Sequence, residues 1–336
     1  MISFQSLYLN LLENSFYRDS IASFPPGGNF VKKKHNGNNY WYYQRRDGKK
    51  VKTSYLGRAD DEKVLSIINR EKESLEIQKR CKESTRALIR SGFPSPTATM
   101  GNVLEALSNA GFFRLRGVLV GSLAYQCYPA MFGERLASYM ETSDVDIAQF
   151  PQISMAIHDS IDESFSTVID KAGRFLPDRT IEGQPYRWRD SQTGCLIDIL
   201  APIVGGFEED TVLLESINTH ALKLKFLDFL IYDEEPAVIL YKHGITVNVP
   251  KPERYAIHKL IVAQERTSQK RAKDISQAVS LIKIMTKNHM TKELQEAFEE
   301  AMDRGHGWRK RLFPSLELLP DDLKLIFKRT SVQLKP

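Results

Sequence analysis

Residues 117–128 read GVLVGSLAYQCY, and residues 141–148 read ETSDVDIA. The first stretch is typical of a short apolar strand that ends at Gly121 and Ser122 and passes directly into a helix. The start of a helix offers free backbone N–H groups and the positive end of the helix dipole, which both suit a phosphate group. The stretch therefore predicts a phosphate-binding turn, in which Gly121 allows close approach and the Ser122 hydroxyl adds a hydrogen bond.

Two carboxylates follow this turn in the second stretch. Asp144 and Asp146 are two residues apart in a predicted strand, so their side chains project to the same face. Two adjacent anions repel each other unless a cation lies between them, and ligands that are all oxygen atoms fit Mg²⁺ or Mn²⁺. The alternative is a pair of capping or solvent-facing aspartates, because so short a motif also occurs by chance.

A third aspartate, Asp198, lies inside the apolar stretch CLIDIL at residues 195–200. A carboxylate within such a strand is costly to bury without a partner. Asp198 therefore either joins Asp144 and Asp146 from a neighbouring strand or pairs with an arginine.

Taken together, these segments resemble the polymerase-β-type nucleotidyltransferase superfamily, whose pattern is a GS or GG turn, a DxD or DxE strand and a third aspartate on a neighbouring strand. More narrowly, the chain is similar to a bacterial subgroup of uncharacterised nucleotidyltransferase-like proteins. Its helix G-S/T-x-A-[FY]-Q-x-Y and strand T-x-D-[VL]-D-[IL]-A both have counterparts here. The resemblance covers residues 110–290, with VPKPERYAIHKLIVAQERTSQKRAKDISQA at 249–278, and more weakly residues 30–58.

The resemblance implies transfer of a nucleoside monophosphate from a nucleoside triphosphate to an acceptor hydroxyl, on an RNA end or a protein, with release of pyrophosphate. Asp144, Asp146 and Asp198 would be the catalytic residues and would hold Mg²⁺ or Mn²⁺. Gly121 and Ser122 would bind the nucleotide. Two alternatives remain: a catalytically silent member of the fold that binds nucleic acid, or a component of a toxin or defence system.

A later segment supplies basic residues. Lys259, Arg266 and Lys273 are spaced by seven residues, so they share one face if the helix is unbroken. We expect Lys259 and Arg266 to bind the nucleotide, as comparable helix lysines do in the family. The alternative is a solvated face, or one paired with Asp274.

The positive charge of the chain is concentrated near its start. Residues 1–60 hold ten Lys and Arg against four Asp and Glu, whereas the remaining residues hold 37 against 38. Within this segment, FVKKKHNGNNYWYYQRRDGKKVKTSYL at 30–56 predicts a β-ribbon with turns at Asn36-Gly37 and Asp47-Gly48. The mixture of aromatic and basic residues predicts contacts with RNA or DNA through Lys33, Trp41, Arg45, Arg46 and Lys49. The alternative is a solvated hairpin whose aromatic rings pack on a neighbouring helix.

The whole pattern predicts an α+β chain with four parts. These are a basic aromatic β-ribbon module (1–58), an exposed linking helix (59–97), a mixed-sheet nucleotidyltransferase core (98–250) and a helical C-terminal domain (251–336). In the core, turns at residues 191–194 and 242–244 predict two antiparallel hairpins, and the C-terminal domain is predicted to contain helices at about 254–268, 270–288, 291–303 and 320–329. The chain has 336 residues with no apolar run long enough for a membrane helix and no basic segment that would mark a secretory signal. Its three isolated cysteines predict no disulfide framework and a reducing cytoplasmic location.

Overall fold

The computed structural model of the chain describes residues 3–22, 24, 28–47, 50–136, 142–156, 163–178, 183–203 and 209–333. Within these residues, helices alternate with strands that form a three-stranded, a seven-stranded and a two-stranded sheet. The structure thus confirms the predicted α+β class. None of the described helices is long and apolar enough to cross a membrane. All three cysteines are buried and free, which confirms the prediction that they form no disulfide.

The first described element is a helix that the sequence analysis did not predict. α1 (Phe4–Ile21) begins where the Ser3 hydroxyl accepts the N–H of Ser6 over 3.0 Å. Its buried side packs on α2 (Glu62–Arg90) and on the main body of the protein, where Tyr8 accepts the N–H of Val238 over 2.8 Å. The described residues before α2 therefore contain a helix docked on the body as well as the strands of the ribbon.

The basic segment forms the predicted ribbon. β1 (Gly28–His35), β2 (Asn38–Asp47) and β3 (Lys50–Arg58) are antiparallel in that order. Asn36 and Gly37 both have positive φ, which is the geometry of the tight turn that an Asn-Gly pair favours. Gly48 and Lys49, in the second predicted turn, lie outside the described residues.

Helix α2 carries the ribbon at one end and contacts α1 along the rest of its length. A Cβ atom on Gly57 of β3 would lie 2.7 Å from Cγ2 of Val64, so only glycine allows this approach of the ribbon to the first turns of α2. Further along, Ile77, Cys81 and Leu88 of α2 share a buried cluster with Leu11 of α1. The linking helix, expected to be exposed, therefore has one face buried from end to end.

A large mixed sheet follows the segment that ends α2. The elements of this region are α3 (Ala98–Ala110), β4 (Val118–Val120), α4 (Gly121–Tyr125), α5 (Tyr128–Phe132), β5 (Asp144–Ala148), α6 (Pro151–Ala156), α7 (Phe165–Asp170), β6 (Phe175–Pro177), β7 (Arg187–Asp190), β8 (Leu196–Pro202), β9 (Thr211–Leu214), β10 (Thr219–Leu224), α8 (Leu227–Ile231), β11 (Glu234–Ile239) and β12 (Ile245–Pro250).

The strands of the large sheet run in the order β4, β5, β8, β10 and β9, and the β6–β7 hairpin joins β8 through β7. The hairpin predicted around residues 191–194 is confirmed as β7–β8, and the one around 242–244 as β11–β12.

Helices complete the chain after Pro250. They are α9 (Pro252–Ala263), α10 (Ser268–Lys287), α11 (Thr291–Asp303), α12 (His306–Leu316) and α13 (Asp321–Gln333). Four of them were predicted. The sequence analysis missed α12, because Pro314 lies inside it and a proline indicates the end of a helix. Their buried side chains belong to the same hydrophobic cluster as the large sheet.

A pair of substitutions in α1 tests whether this helix is part of the body. Leu11 is fully buried, so Leu11→Ala should lower the free energy of unfolding by about 2–5 kcal/mol. Leu9 lies on the solvent side of the same helix with 49% of its surface exposed, and Leu9→Ala should change that free energy by about 0.5 kcal/mol or less. Chemical denaturation of both variants measures the difference, and equal effects would show that α1 does not dock.

Candidate active site

The centre of the large sheet brings acidic side chains together. β5 runs parallel to β8, with Asp146 directly opposite Asp198 and Asp144 opposite Leu196. Residues in register on neighbouring strands project to the same face, and so do residues two apart on one strand. The alternate residues Val145 and Ile197 are fully buried beneath the sheet. The side chains of Asp144, Asp146 and Asp198 therefore project to the opposite face, where all three are half-buried.

Asp146 lies in the middle of this group. Burial and, to a smaller extent, the negative charges of Asp198 and Asp144 raise its pKa to about 7, while Lys259 and Arg266 act in the opposite direction. The basic neighbours do not compensate fully for the burial and the two like charges. An added cation beside Asp146 would therefore be stabilising.

The predicted phosphate-binding turn touches this carboxylate. β4 ends at Val120, which pairs with Asp146, and α4 begins at Gly121. Gly121 has φ of +65°, and a Cβ atom there would lie 2.0 Å from Oδ2 of Asp146. Glycine is therefore required for two reasons, the left-handed backbone and the absence of a side chain next to the carboxylate. Ser122 follows directly and is half-buried at the same edge.

Asp198 also has a partner that the sequence analysis left open. Arg187 is directly opposite it on β7, and the guanidinium donates from Nε to Oδ1 over 2.5 Å and from the second nitrogen to Oδ2 over 2.7 Å. The carboxylate raises the pKa of Arg187 in return. Asp198 is thus both the neighbour of Asp146 and an ion-pair partner, so the two alternatives stated for it hold together.

The basic residues lie on two helices and on the turn between them: Lys259 on α9, Arg266 in the turn and Lys273 on α10. The shared face was expected only if the helix is unbroken. Because α9 ends at Ala263 and α10 begins at Ser268, the spacing by seven residues does not define one face. Lys259 donates to Asp274 over 2.6 Å, and Nε of Arg266 lies 3.8 Å from the same carboxylate. Both cations nevertheless lie close enough to Asp146 to lower its pKa.

A cluster of three tyrosine rings supports the Gly121 turn. Tyr125 and Tyr128, on the helices that follow Gly121, contact the ring of Tyr255 on α9 at 5.9 and 5.3 Å between centroids. The Tyr255 hydroxyl lies 2.9 Å from the carbonyl oxygen of Gly121 and 3.1 Å from Oε1 of Gln277. Sequence reasoning missed this contact, since 134 residues separate its two ends. The tyrosines of the AYQCY segment fix the Gly121 turn on the helical region.

The predicted nucleic-acid residues lie on the ribbon, and they divide between its two faces. Paired residues share a face and successive residues alternate, so Lys33 and Arg46 lie on one face while Trp41 and Arg45 lie on the other. Nε1 of Trp41 is buried, on the side that faces α2. Lys49 lies outside the described residues.

The described residues contain no ready-made group of three metal-ligating side chains. Mg²⁺ does not need one, because it is commonly held by one or two carboxylates together with substrate phosphates. Asp144 and Asp146 offer oxygen atoms only, and the raised pKa of Asp146 reflects its burial together with the negative charges of Asp198 and Asp144. These residues fit a hard divalent cation, with Arg187 already occupying one side of Asp198.

Comparison with protein families identifies the chain. A family described as "Nucleotidyltransferase" matches residues 98–303, which is more than half of the chain and includes all three aspartates and the Gly121 turn. The chain belongs to this nucleotidyltransferase family. It is therefore a nucleotidyltransferase enzyme, as the resemblance implied. A second family, a domain of unknown function numbered DUF6788, matches residues 9–66 of the nucleotidyltransferase. Neither a curated protein nor a solved structure matches the chain.

Two glycine substitutions test the contact between the turn and Asp146. Gly121 and Gly194 have similar positive φ values, +65° and +73°, so alanine at either position should cost about 1–2 kcal/mol of stability through the backbone. A Cβ atom on Gly194 meets no atom within 4 Å, whereas one on Gly121 collides with Asp146. Gly121→Ala should therefore lower the free energy of unfolding by about 1–3 kcal/mol more than Gly194→Ala does. Denaturation curves with equal midpoints would contradict the contact.

Proposed function

We propose that this nucleotidyltransferase uses Mg²⁺ or Mn²⁺ to move a nucleoside monophosphate from a nucleoside triphosphate to a hydroxyl group of an RNA end or a protein. The observation that carries the proposal is the register that sets Asp146 opposite Asp198 and against Gly121. The core at 98–250 and the helical domain at 251–336 would then form the two sides of the nucleotide cleft.

In this reaction the acceptor oxygen forms a bond to the α-phosphorus, and the bond from that phosphorus to the bridging oxygen breaks. Pyrophosphate leaves with the electron pair. A divalent cation, when bound, supplies positive charge for the triphosphate and lowers the pKa of the acceptor hydroxyl. Asp144 and Asp146 would hold it, since they share one face of β5. Asp198 would receive the hydroxyl proton through lone pairs that Arg187 does not use.

The remaining residues would position the triphosphate. Gly121 leaves room for a phosphate group beside the carboxylates, and the Ser122 hydroxyl would donate to a phosphate oxygen. Lys259 is held in place by Asp274 at 2.6 Å, and Arg266, about half exposed, lies 3.8 Å from the same carboxylate. The pair would offset negative charge on the β- and γ-phosphates.

One observation favours a second candidate. Because Arg187 already neutralises Asp198, the fold could serve as a catalytically silent nucleic-acid-binding member of the family. The toxin or defence role and the cytoplasmic location stay predictions from the sequence.

Labelled substrate distinguishes these candidates. The protein is incubated with each α-labelled nucleoside triphosphate, Mg²⁺ and either total RNA or cell protein, and labelled acceptors are separated on gels. The variant Asp144→Asn with Asp146→Asn keeps the side-chain shape but removes two charges, so transfer should fall by about 100-fold or more. Asp303→Asn removes one charge from the exposed end of α11 and should leave transfer unchanged. Transfer by the double variant at the level of the natural sequence would exclude the proposed site.

A second experiment measures stability instead of activity, and it tests whether Arg187 offsets the negative charge of the carboxylates. Arg187→Gln leaves Asp198 facing Asp146 with no guanidinium, so the variant should lose about 1–3 kcal/mol of stability in EDTA. Mg²⁺ should then restore more stability to this variant than it adds to the natural sequence, because the cation replaces the lost charge.

The matched control is Arg189→Gln on the same strand. Arg189 donates to Asp178 over 2.9 Å, outside the group of three carboxylates, so the loss there should not depend on Mg²⁺. Thermal melts at constant ionic strength, with Mg²⁺ or with EDTA, measure all three proteins. If Mg²⁺ raised the stability of both variants equally, the result would show that Arg187 does not act at the cation site.

A further inference from the structure

The outer face of the ribbon carries a cluster of tyrosine rings that packing of the protein does not explain. Tyr42 pairs with Tyr55, and Tyr40 lies two residues before Tyr42, so the three rings share the face that also carries Lys33 and Arg46. We call these five residues the outer tyrosine face. The opposite face supplies the packing, since Gly57 meets Val64 of α2 there and Tyr43 is buried against Phe24 and Phe30.

The rings of the outer tyrosine face lie together, with Tyr55 exposed and Tyr40 and Tyr42 half-buried. The ring of Tyr55 lies 5.5 Å from that of Tyr42 and 6.0 Å from that of Tyr40, between centroids. Tyr55 is 59% exposed, and the ammonium group of Lys33 lies 5.2 Å from the Tyr42 ring. A contiguous cluster of aromatic rings that reaches the surface, as this one does at Tyr55, is typical of a binding site.

We propose that the outer tyrosine face binds single-stranded nucleic acid, with bases stacked on Tyr40, Tyr42 and Tyr55 and phosphates against Lys33 and Arg46. Stacking on aromatic rings and a positively charged track for the backbone are the two features by which proteins hold unpaired strands. The DUF6788 match over residues 9–66 assigns no ligand to this region.

The positive charge of the ribbon favours a polyanion over the other ligands that such a face could bind. Residues 28–58 hold nine Lys and Arg and a single acidic residue, Asp47. A second copy of the ribbon would bring the same positive charge and would be repelled. An acidic protein segment would satisfy the charge but would supply no flat rings for three tyrosines, whereas nucleic acid supplies phosphates and bases at once.

The tyrosines also select an unpaired strand over a duplex. Bases in a duplex are stacked on one another and present only their edges in the grooves. A ring on a sheet face can stack on a base only after that base has left its neighbours, which a single strand allows at little cost. RNA and DNA share this chemistry, and the two are separate arms of the experiment.

Fluorescence anisotropy tests the proposal on the full-length protein, because α1 joins the ribbon segment to the body and a deletion would remove both. The probes are labelled single strands of about 15 nucleotides, oligo(U) RNA and oligo(dT) DNA, and a DNA duplex of the same length. No nucleoside triphosphate is present, so the result is independent of the proposed transfer reaction. A single strand should bind more tightly than the duplex, with an affinity that falls linearly with salt on a logarithmic plot.

Two variants examine the rings. Replacing Tyr40, Tyr42 and Tyr55 by threonine keeps residues that favour strands and should weaken single-strand binding by about tenfold or more. Replacing the same three residues by phenylalanine keeps the rings and should retain affinity within about twofold, which a role that depends on the hydroxyl groups would not produce. Circular dichroism confirms that each variant is folded.

Two further variants examine the charges. Lys33→Gln with Arg46→Gln should reduce the magnitude of the salt slope by about 1.4, at roughly 0.7 per phosphate contact on a single strand. Lys79→Gln with Lys292→Gln removes the same charge from exposed positions on α2 and α11 and should leave the slope unchanged. The proposal is overturned if no strand binds, if the duplex binds as tightly as the single strands, or if the threonine variant binds like the natural sequence.

Discussion

The close approach of the Gly121 backbone to the Asp146 carboxylate is the constraint on which the rest of the site depends. It requires glycine at the end of β4, it fixes the register of β4 against β5, and it leaves the carboxylate with little water. Burial and two like charges then raise the pKa of Asp146. The helical region contributes through Tyr255, which holds the carbonyl of the same glycine. A turn of two residues thus links the sheet, the acidic group and the C-terminal helices.

Local structural features could be predicted from the sequence because each of their signals depends on neighbouring residues. The Asn36-Gly37 turn, the β7–β8 hairpin and the long helix α2 were predicted from such signals and are present in the structure. The alternation of apolar and acidic residues likewise placed Asp144 and Asp146 on one face. The family match over residues 98–303 agrees with the nucleotidyltransferase interpretation, whereas the roles of individual residues stay predictions.

The features that sequence reasoning missed depend on distant pairings or on mixed faces. Arg187 meets Asp198 only because β7 and β8 align in one particular register. Helix α1 buries Ser15 and Arg18 along with Tyr8 and Leu11, so its buried face shows no clean apolar period. Arg18 is satisfied there by the carbonyl groups of residues 243 and 244, which lie far along the chain. No pattern within α1 indicates these partners.

Helix α2 sets how far the ribbon can move relative to the catalytic half. It contains 29 residues with no glycine or proline, so it is a straight element about 43 Å long. The ribbon covers its first turns, and α1 covers the remainder, with Tyr17 donating to Glu73 and Phe4 contacting Phe93. A flexible linker lets two modules sample a wide range of separations, and their mutual effective concentration then depends on its length. A continuous helix with α1 packed along one side does not allow such a range of separations. A ligand bound by the ribbon is therefore held at one distance and in one direction from the rest of the molecule.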